Sequence, residues 1–170
     1  MTTLYRKIIG KIAEILAPTQ ISPNFFTFTG VFVVALSSYL IGRRTLISGA
    51  IVLALGGILD SLDGELARRE RSVTKYGAFI DSTMDRIGEL LIFIALFFYF
   101  RFSDTALSFT FELLSILTLG VSFMISYARA RIEGLHGNCR IGLLQRQWRL
   151  VILFFSILIT GLLNPYFEHL

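Results

Sequence analysis

Five apolar stretches dominate the chain, at about residues 25–41, 46–59, 79–100, 107–127 and 150–163. A bilayer core takes about 20 residues of helix to cross. Backbone groups in lipid must find their partners within their own segment, so such stretches read as helices. The second and fifth are short, so polar ends must extend them. Only 16% of residues are charged and 54% are hydrophobic, whereas soluble domains run near 25% charged. The expected fold is therefore all-α: a polytopic transmembrane helix bundle with five spans. Residues 3–17 add an amphipathic helix suited to the headgroup region, with Leu4, Ile8, Ile9, Ile12, Ile15 and Leu16 on or near one face. Pro18 and Pro23 bracket a break. This divides the chain into a juxtamembrane helix, 1–22, and a transmembrane domain, 23–170.

The basic residues predict orientation. Thirteen fall on one side: Arg6, Lys7, Lys11, Arg68, Arg69, Arg71, Lys75, Arg86, Arg129, Arg131, Arg140, Arg146 and Arg149. Arg43, Arg44 and Arg101 fall on the other. The first side is then cytoplasmic. The net charge of +4 reads as this asymmetry rather than as nucleic-acid binding. The lone Cys139 excludes an intrachain disulfide. The first twenty residues are too polar for a cleavable signal peptide.

Acidic residues inside apolar helices carry the chemistry. Asp60 and Asp63 are three apart, and Asp81 and Asp85 four apart, so on a helix each pair shares a face. Gly64, Ala67 and Gly77 lie near them and permit close approach of a helix or a ligand. An acid near the bilayer centre costs about 2.5–3.5 kcal/mol, and less near a span's end. Four carboxylates brought together also repel one another. Two divalent cations would balance them, and hard oxygen ligands favour Mg²⁺, Mn²⁺ or Ca²⁺. A metal pair is a known device for phosphoryl chemistry. The competing readings are a solvated loop in which the acids pair with nearby arginines, and a cation pathway. A pathway predicts acids spread through the membrane depth, whereas these sit at one end.

The string D-x2-D-G-x2-A-R-x8-G-x3-D-x3-D is filled at every fixed position, by Asp60, Asp63, Gly64, Ala67, Arg68, Gly77, Asp81 and Asp85. It resembles the signature of the CDP-alcohol phosphotransferases. The resemblance implies a six-span membrane bundle, of which five spans are legible here, and a homodimer with its site open to the cytoplasm and to lipid. It implies metal ligation by Asp60, Asp63 and Asp81, with Asp85 beside the second metal as the general base. A CDP-lipid donor would meet Arg68 at its diphosphate and Gly64 and Gly77 at its cytidine. Ala67 and Ser82 belong to the same donor site. Pro23, Asn24 and Thr27, at the start of the first span, resemble a family segment bordering the nucleotide. Mg²⁺ or Mn²⁺ is the implied cofactor.

A second basic cluster comprises Arg129 and Arg131 just after one span and Arg146 and Arg149 just before the next. Guanidinium groups suit dianions, which makes these four candidates for an acceptor phosphate. The segments around them resemble the family subset that makes phosphatidylinositol phosphate or its archaeal counterpart. Arg129 stands where lysine is usual, and Gln145 and Gln147-Trp148 depart from the pattern. The expected reaction is transfer of a phosphatidyl-type group from CDP-diacylglycerol or CDP-archaeol to a phosphorylated polyol, with inositol 1-phosphate the first expectation. Glycerol 3-phosphate as acceptor, CDP-inositol as donor, a cation transporter and a silent membrane scaffold are the alternatives. Arg140 reads as membrane anchoring, and His136 and His169 as solvated. No spacing argument separates Glu65 or Glu89 from surface charges, and Glu112 carries no assignment.

Overall fold

The computed structural model describes residues 3–16, 23–69, 74–103, 105–135 and 146–167. Every regular element among them is a helix: α1 Thr3–Leu16, α2 Pro23–Gly42, α3 Leu46–Arg69, α4 Lys75–Arg101, α5 Ser108–Gly134 and α6 Arg146–Phe167. Each expected apolar stretch lies within one of the helices α2 to α6. As expected, α3 continues past its apolar part into the acidic segment. Among the described residues, three helices carry segments long and apolar enough to cross a membrane, Phe25–Gly42, Leu46–Leu66 and Ser108–Gly134, and α6 holds a shorter apolar run, Trp148–Leu163.

The second helix organises the bundle. It packs against both α3 and α4, which have no extensive backbone contact of their own. Small residues bring α2 and α3 together. A methyl group built on Gly56 would lie 2.9 Å from Val34 Cγ2, and one on Gly49 would lie 2.7 Å from Ile41 Cγ1. Ser37, fully buried, donates to the Gly49 carbonyl at 2.7 Å. Inside a bilayer, van der Waals contact and such hydrogen bonds hold helices together, because lipid is as apolar as leucine. Against this seam Ile41, Leu46, Ala50, Leu53, Ile92, Ala95 and Ile157 form a core drawn from α2, α3, α4 and α6. A second core sits at the acidic end, where Ile9 and Ala13 of α1 meet Phe26, Leu62 and Leu66. Lys7, Lys11 and Glu14 on the same helix are exposed.

Two ends are set by local chemistry. Helix α2 stops where Arg44 takes φ 65° and Thr45 N–H donates back to the Leu40 carbonyl at 3.0 Å. This is the left-handed stop that frees the chain to reverse into α3. Helix α4 starts at Thr74, whose hydroxyl accepts from Gly77 N–H at 2.9 Å. That cap satisfies one of the orphan donors of the first turn and fixes the phase of the helix carrying Asp81 and Asp85. Helix α5 packs on α4. It buries Glu112, Ser115 and Ser122 and exposes apolar side chains such as Leu117, Val121 and Met124.

Helix α6 is seated on α3 through Gly161. A methyl group there would lie 2.9 Å from Leu46 Cβ and 3.1 Å from the Ile47 backbone nitrogen, neither of which can rotate away. Gly161→Ala is expected to destabilise the protein by about 1–3 kcal/mol through overpacking. A lower midpoint for thermal unfolding in detergent would check this.

Candidate active site

The acids of α3 and α4 converge although the described residues of these helices make no extensive backbone contact with each other. One carboxylate oxygen from each of Asp60, Asp81 and Asp85 lies within 4.8 Å of the others, and all three residues are partly buried. Divalent ions hold oxygen ligands at about 2.0–2.6 Å, so two ligands of one ion sit at most about 5.2 Å apart. The three oxygens are therefore within reach of a single cation. All donors are hard oxygens, as Mg²⁺ and Mn²⁺ require. Asp63 lies on α3 one turn beyond Asp60, and its side chain falls outside the described residues. The same holds for the side chains of Ala67, Arg68, Pro23, Asn24 and Arg146. His136, Arg140 and His169 fall outside altogether.

A cleft of about 440 Å³ opens beside the carboxylates, walled by α2, α3, α4 and α6. Thr27, Asp60, Ser61, Asp85 and Glu89 supply its polar groups. Val34, Leu53, Ile92, Leu150 and Phe154 line its apolar remainder. Gly30 and Gly56 floor it where α2 crosses α3. Of the other expected donor-site residues, Gly64 is partly buried on α3. Gly77 forms the capped first turn of α4, and Ser82 turns its hydroxyl to the Phe79 carbonyl at 2.9 Å.

The four candidate arginines divide. Arg149 reaches the cleft wall, where its NH2 donates to Glu89 Oε1 at 2.8 Å. Arg129 pairs with Glu133 at 3.0 Å on the exposed side of α5, and Arg131 is exposed in the last turn of that helix. Arg86, which follows Asp85, lies 3.8 Å from both Asp85 Oδ2 and Glu89 Oε2 and donates to Ser126 Oγ.

Glu89 is the functional-site residue that sequence spacing did not single out. It is 3% exposed, borders the cleft, and receives hydrogen bonds from Ser122 and Arg149. A signal was present: Glu89 follows Asp85 by four residues and so continues the same helical face.

A membrane-embedded helical bundle with converging aspartates above an apolar cleft defines a site for a charged group carried on a hydrocarbon tail. Residues 20–166 match the family model described as CDP-alcohol phosphatidyltransferase, and the chain belongs to that family. It is thus a transferase and an integral membrane protein. It is 36% identical over 168 residues to the archaetidylinositol phosphate synthase of Methanothermobacter thermautotrophicus, covering 98% of this chain and 82% of the relative. Among solved structures it resembles the phosphatidylinositol phosphate synthase of Mycobacterium tuberculosis with CDP-DAG bound. There the TM-score is 0.79 at 28% identity, covering 91% of this chain and 77% of the other. The same synthase in complex with manganese and citrate gives a TM-score of 0.81 at 27% identity, covering 90% and 73%.

If the three aspartates share an ion, Asp81→Asn should weaken Mn²⁺ binding at least about tenfold, or about 1.4 kcal/mol. Titration of the purified protein with Mn²⁺, followed by electron paramagnetic resonance, measures this directly. Ser82→Ala, one residue away, should leave the affinity unchanged.

Proposed function

We propose that this protein transfers a phosphatidyl-type group from a CDP-linked lipid, CDP-diacylglycerol or CDP-archaeol, to a hydroxyl of inositol 1-phosphate, releasing CMP. The observation that carries this reading is the convergence of Asp60, Asp81 and Asp85 at the rim of a mainly apolar cleft. Relatives of the chain include synthases of archaetidylinositol phosphate and phosphatidylinositol phosphate, which supports both the donor class and the acceptor.

Asp60, Asp63, Asp81 and Asp85 would hold one or two Mg²⁺ or Mn²⁺ ions. Bound there, the metal neutralises diphosphate oxygens and stabilises the leaving CMP. The chain's own groups do the rest. Asp85 accepts the proton of the acceptor hydroxyl as that oxygen bonds to the β-phosphorus. The bond between the β-phosphorus and the bridging oxygen breaks, and the electron pair leaves on CMP. Arg68 suits the donor diphosphate, because its planar fork matches phosphate oxygens. Gly64, Ala67, Gly77, Ser82, Pro23, Asn24 and Thr27 border the nucleotide in this reading. Val34, Leu53, Ile92 and Phe154 offer the hydrocarbon chains an apolar wall. Arg149 is the leading contact for the acceptor phosphate, with Arg129, Arg131 and Arg146 supplying positive charge at the same end of the bundle.

The basic-residue asymmetry supports a cytoplasmic site in the cell membrane, with α1 lying in the headgroup layer ahead of a transmembrane domain of five spans. A homodimer is the expected assembly.

Purified protein supplied with CDP-diacylglycerol and Mg²⁺ should release CMP only when inositol 1-phosphate is added. Equal release with glycerol 3-phosphate would reassign the acceptor. No release with any of inositol 1-phosphate, glycerol 3-phosphate, inositol or serine would overturn the proposal. In the same assay Asp85→Asn should bind the donor normally while turnover falls by about 10²–10⁴-fold, the usual contribution of a general base.

A further inference from the structure

Glu89 has no place in the chemistry just described, yet it is among the most completely buried charged groups of the described residues. It is 3% exposed. Burying a carboxylate is costly unless charge and hydrogen bonds compensate it. Both are present, and they come from three helices. Ser122 of α5 donates to Oε2 at 2.7 Å, and Arg149 of α6 donates to Oε1 at 2.8 Å. Arg86 of α4 holds its Nε 3.8 Å from Oε2. The arrangement continues outward: Arg86 donates to Ser126 Oγ, and Ser126 donates to the Ser122 carbonyl at 2.9 Å.

The cluster does not close on itself. Glu89 takes a hydrogen bond from Arg149, and Arg86 lies 3.8 Å from both the Glu89 and the Asp85 carboxylates, so several guanidinium N–H groups are left over. Arg86 Nε, Arg149 Nε and Arg149 NH1 are buried and have no hydrogen-bond partner among the described residues. Buried donors of this kind ordinarily have a partner. Charged N–H donors of this kind suit an anion such as a phosphate monoester, and Arg86 lies 3.8 Å from Asp85 Oδ2. Without Glu89, two like charges would face each other and the long Arg149 side chain would lose the bond that fixes it.

We infer that Glu89 is a positioning residue for the acceptor: it holds Arg149 against Arg86 so that their remaining N–H groups receive the acceptor's phosphate next to Asp85. The inference rests on the acceptor reading given above. Ser122 assists by fixing the carboxylate's other oxygen, which leaves Oε1 for Arg149. Glu89 itself need not touch the substrate.

The test compares the parent protein with Glu89→Gln, Glu89→Asp, Arg149→Gln and the double variant Glu89→Gln/Arg149→Gln, in detergent with Mg²⁺. Three quantities are read: KM for inositol 1-phosphate, affinity for CDP-diacylglycerol, and affinity for inorganic phosphate by calorimetry. Glu89→Gln should raise the acceptor KM and weaken phosphate binding at least about tenfold, as losing one partner of a buried charge pair does. Donor affinity should hold, and Glu89→Asp should recover part of the loss. The double variant should be little worse than Arg149→Gln alone, because both changes remove one arrangement.

Full additivity, an unchanged acceptor KM, or loss of donor affinity in both Glu89 variants would overturn the inference, the last by showing a purely structural role. Failure of the parent to turn over inositol 1-phosphate strikes at the function proposed above instead. The phosphate affinities then decide for Glu89, and absence of phosphate binding by the parent or an unchanged value in Glu89→Gln overturns it.

Discussion

Carboxylates on two helices can share a cation only if those helices stand at a fixed separation, and here a third helix sets it. Helix α2 packs on α3 through Gly49, Gly56 and Ser37, and on α4 near Gly88. Helices α3 and α4 are both braced on it, and their described residues make no extensive backbone contact with each other. That leaves room between them, and the room becomes the cleft. The acids repel one another, and direct packing of their helices would leave no space for a ligand. A brace behind them resolves both demands, because contact on α2 holds the pair in place while the space in front stays open.

The charged groups follow the same economy of burial. Few carboxylates are tolerated within an apolar bundle, and each one buried here has identifiable compensation. Glu112 lies 4.0 Å from Arg101 at the end of the bundle away from the aspartates. Glu89 gathers Ser122, Arg149 and Arg86. Asp60, Asp81 and Asp85 lie close enough together for a divalent ion. Helix α5 thereby gains a role beyond spanning. Its buried residues are the polar Glu112, Ser115 and Ser122, and Ser122 meets α4 through a hydrogen bond to Glu89, beside a Phe100–Phe111 stack.

Much of this was legible in the sequence, because the strongest signals are periodic. The apolar stretches located helices α2 to α6, and the i, i+4 spacing put Asp81 with Asp85 on a shared face. The signature string identified the family. What remained hidden depends on how helices meet. Glu89 occupies the same face as Asp85, but only the approach of α5 and α6 reveals that it is buried and bound. The four arginines look equivalent along the chain, yet Arg149 turns into the bundle while Arg129 pairs with Glu133 one turn away. Sequence spacing likewise did not single out Thr74 as a cap, although threonine suits that position. The handedness of Arg44 has no sequence signal either, because that conformation ordinarily favours glycine.

The cleft places an ionic rim directly above a hydrocarbon floor. A molecule with a charged head and long tails can therefore present its head to the carboxylates while its methylenes stay in surroundings as oily as those they left. Moving such tails into water costs about 0.8 kcal/mol for each methylene, a sum that would dwarf most binding energies. For the reaction proposed, that extraction would not have to occur. Affinity for such an amphiphile could then stay modest, and a modified lipid could drift back into the leaflet.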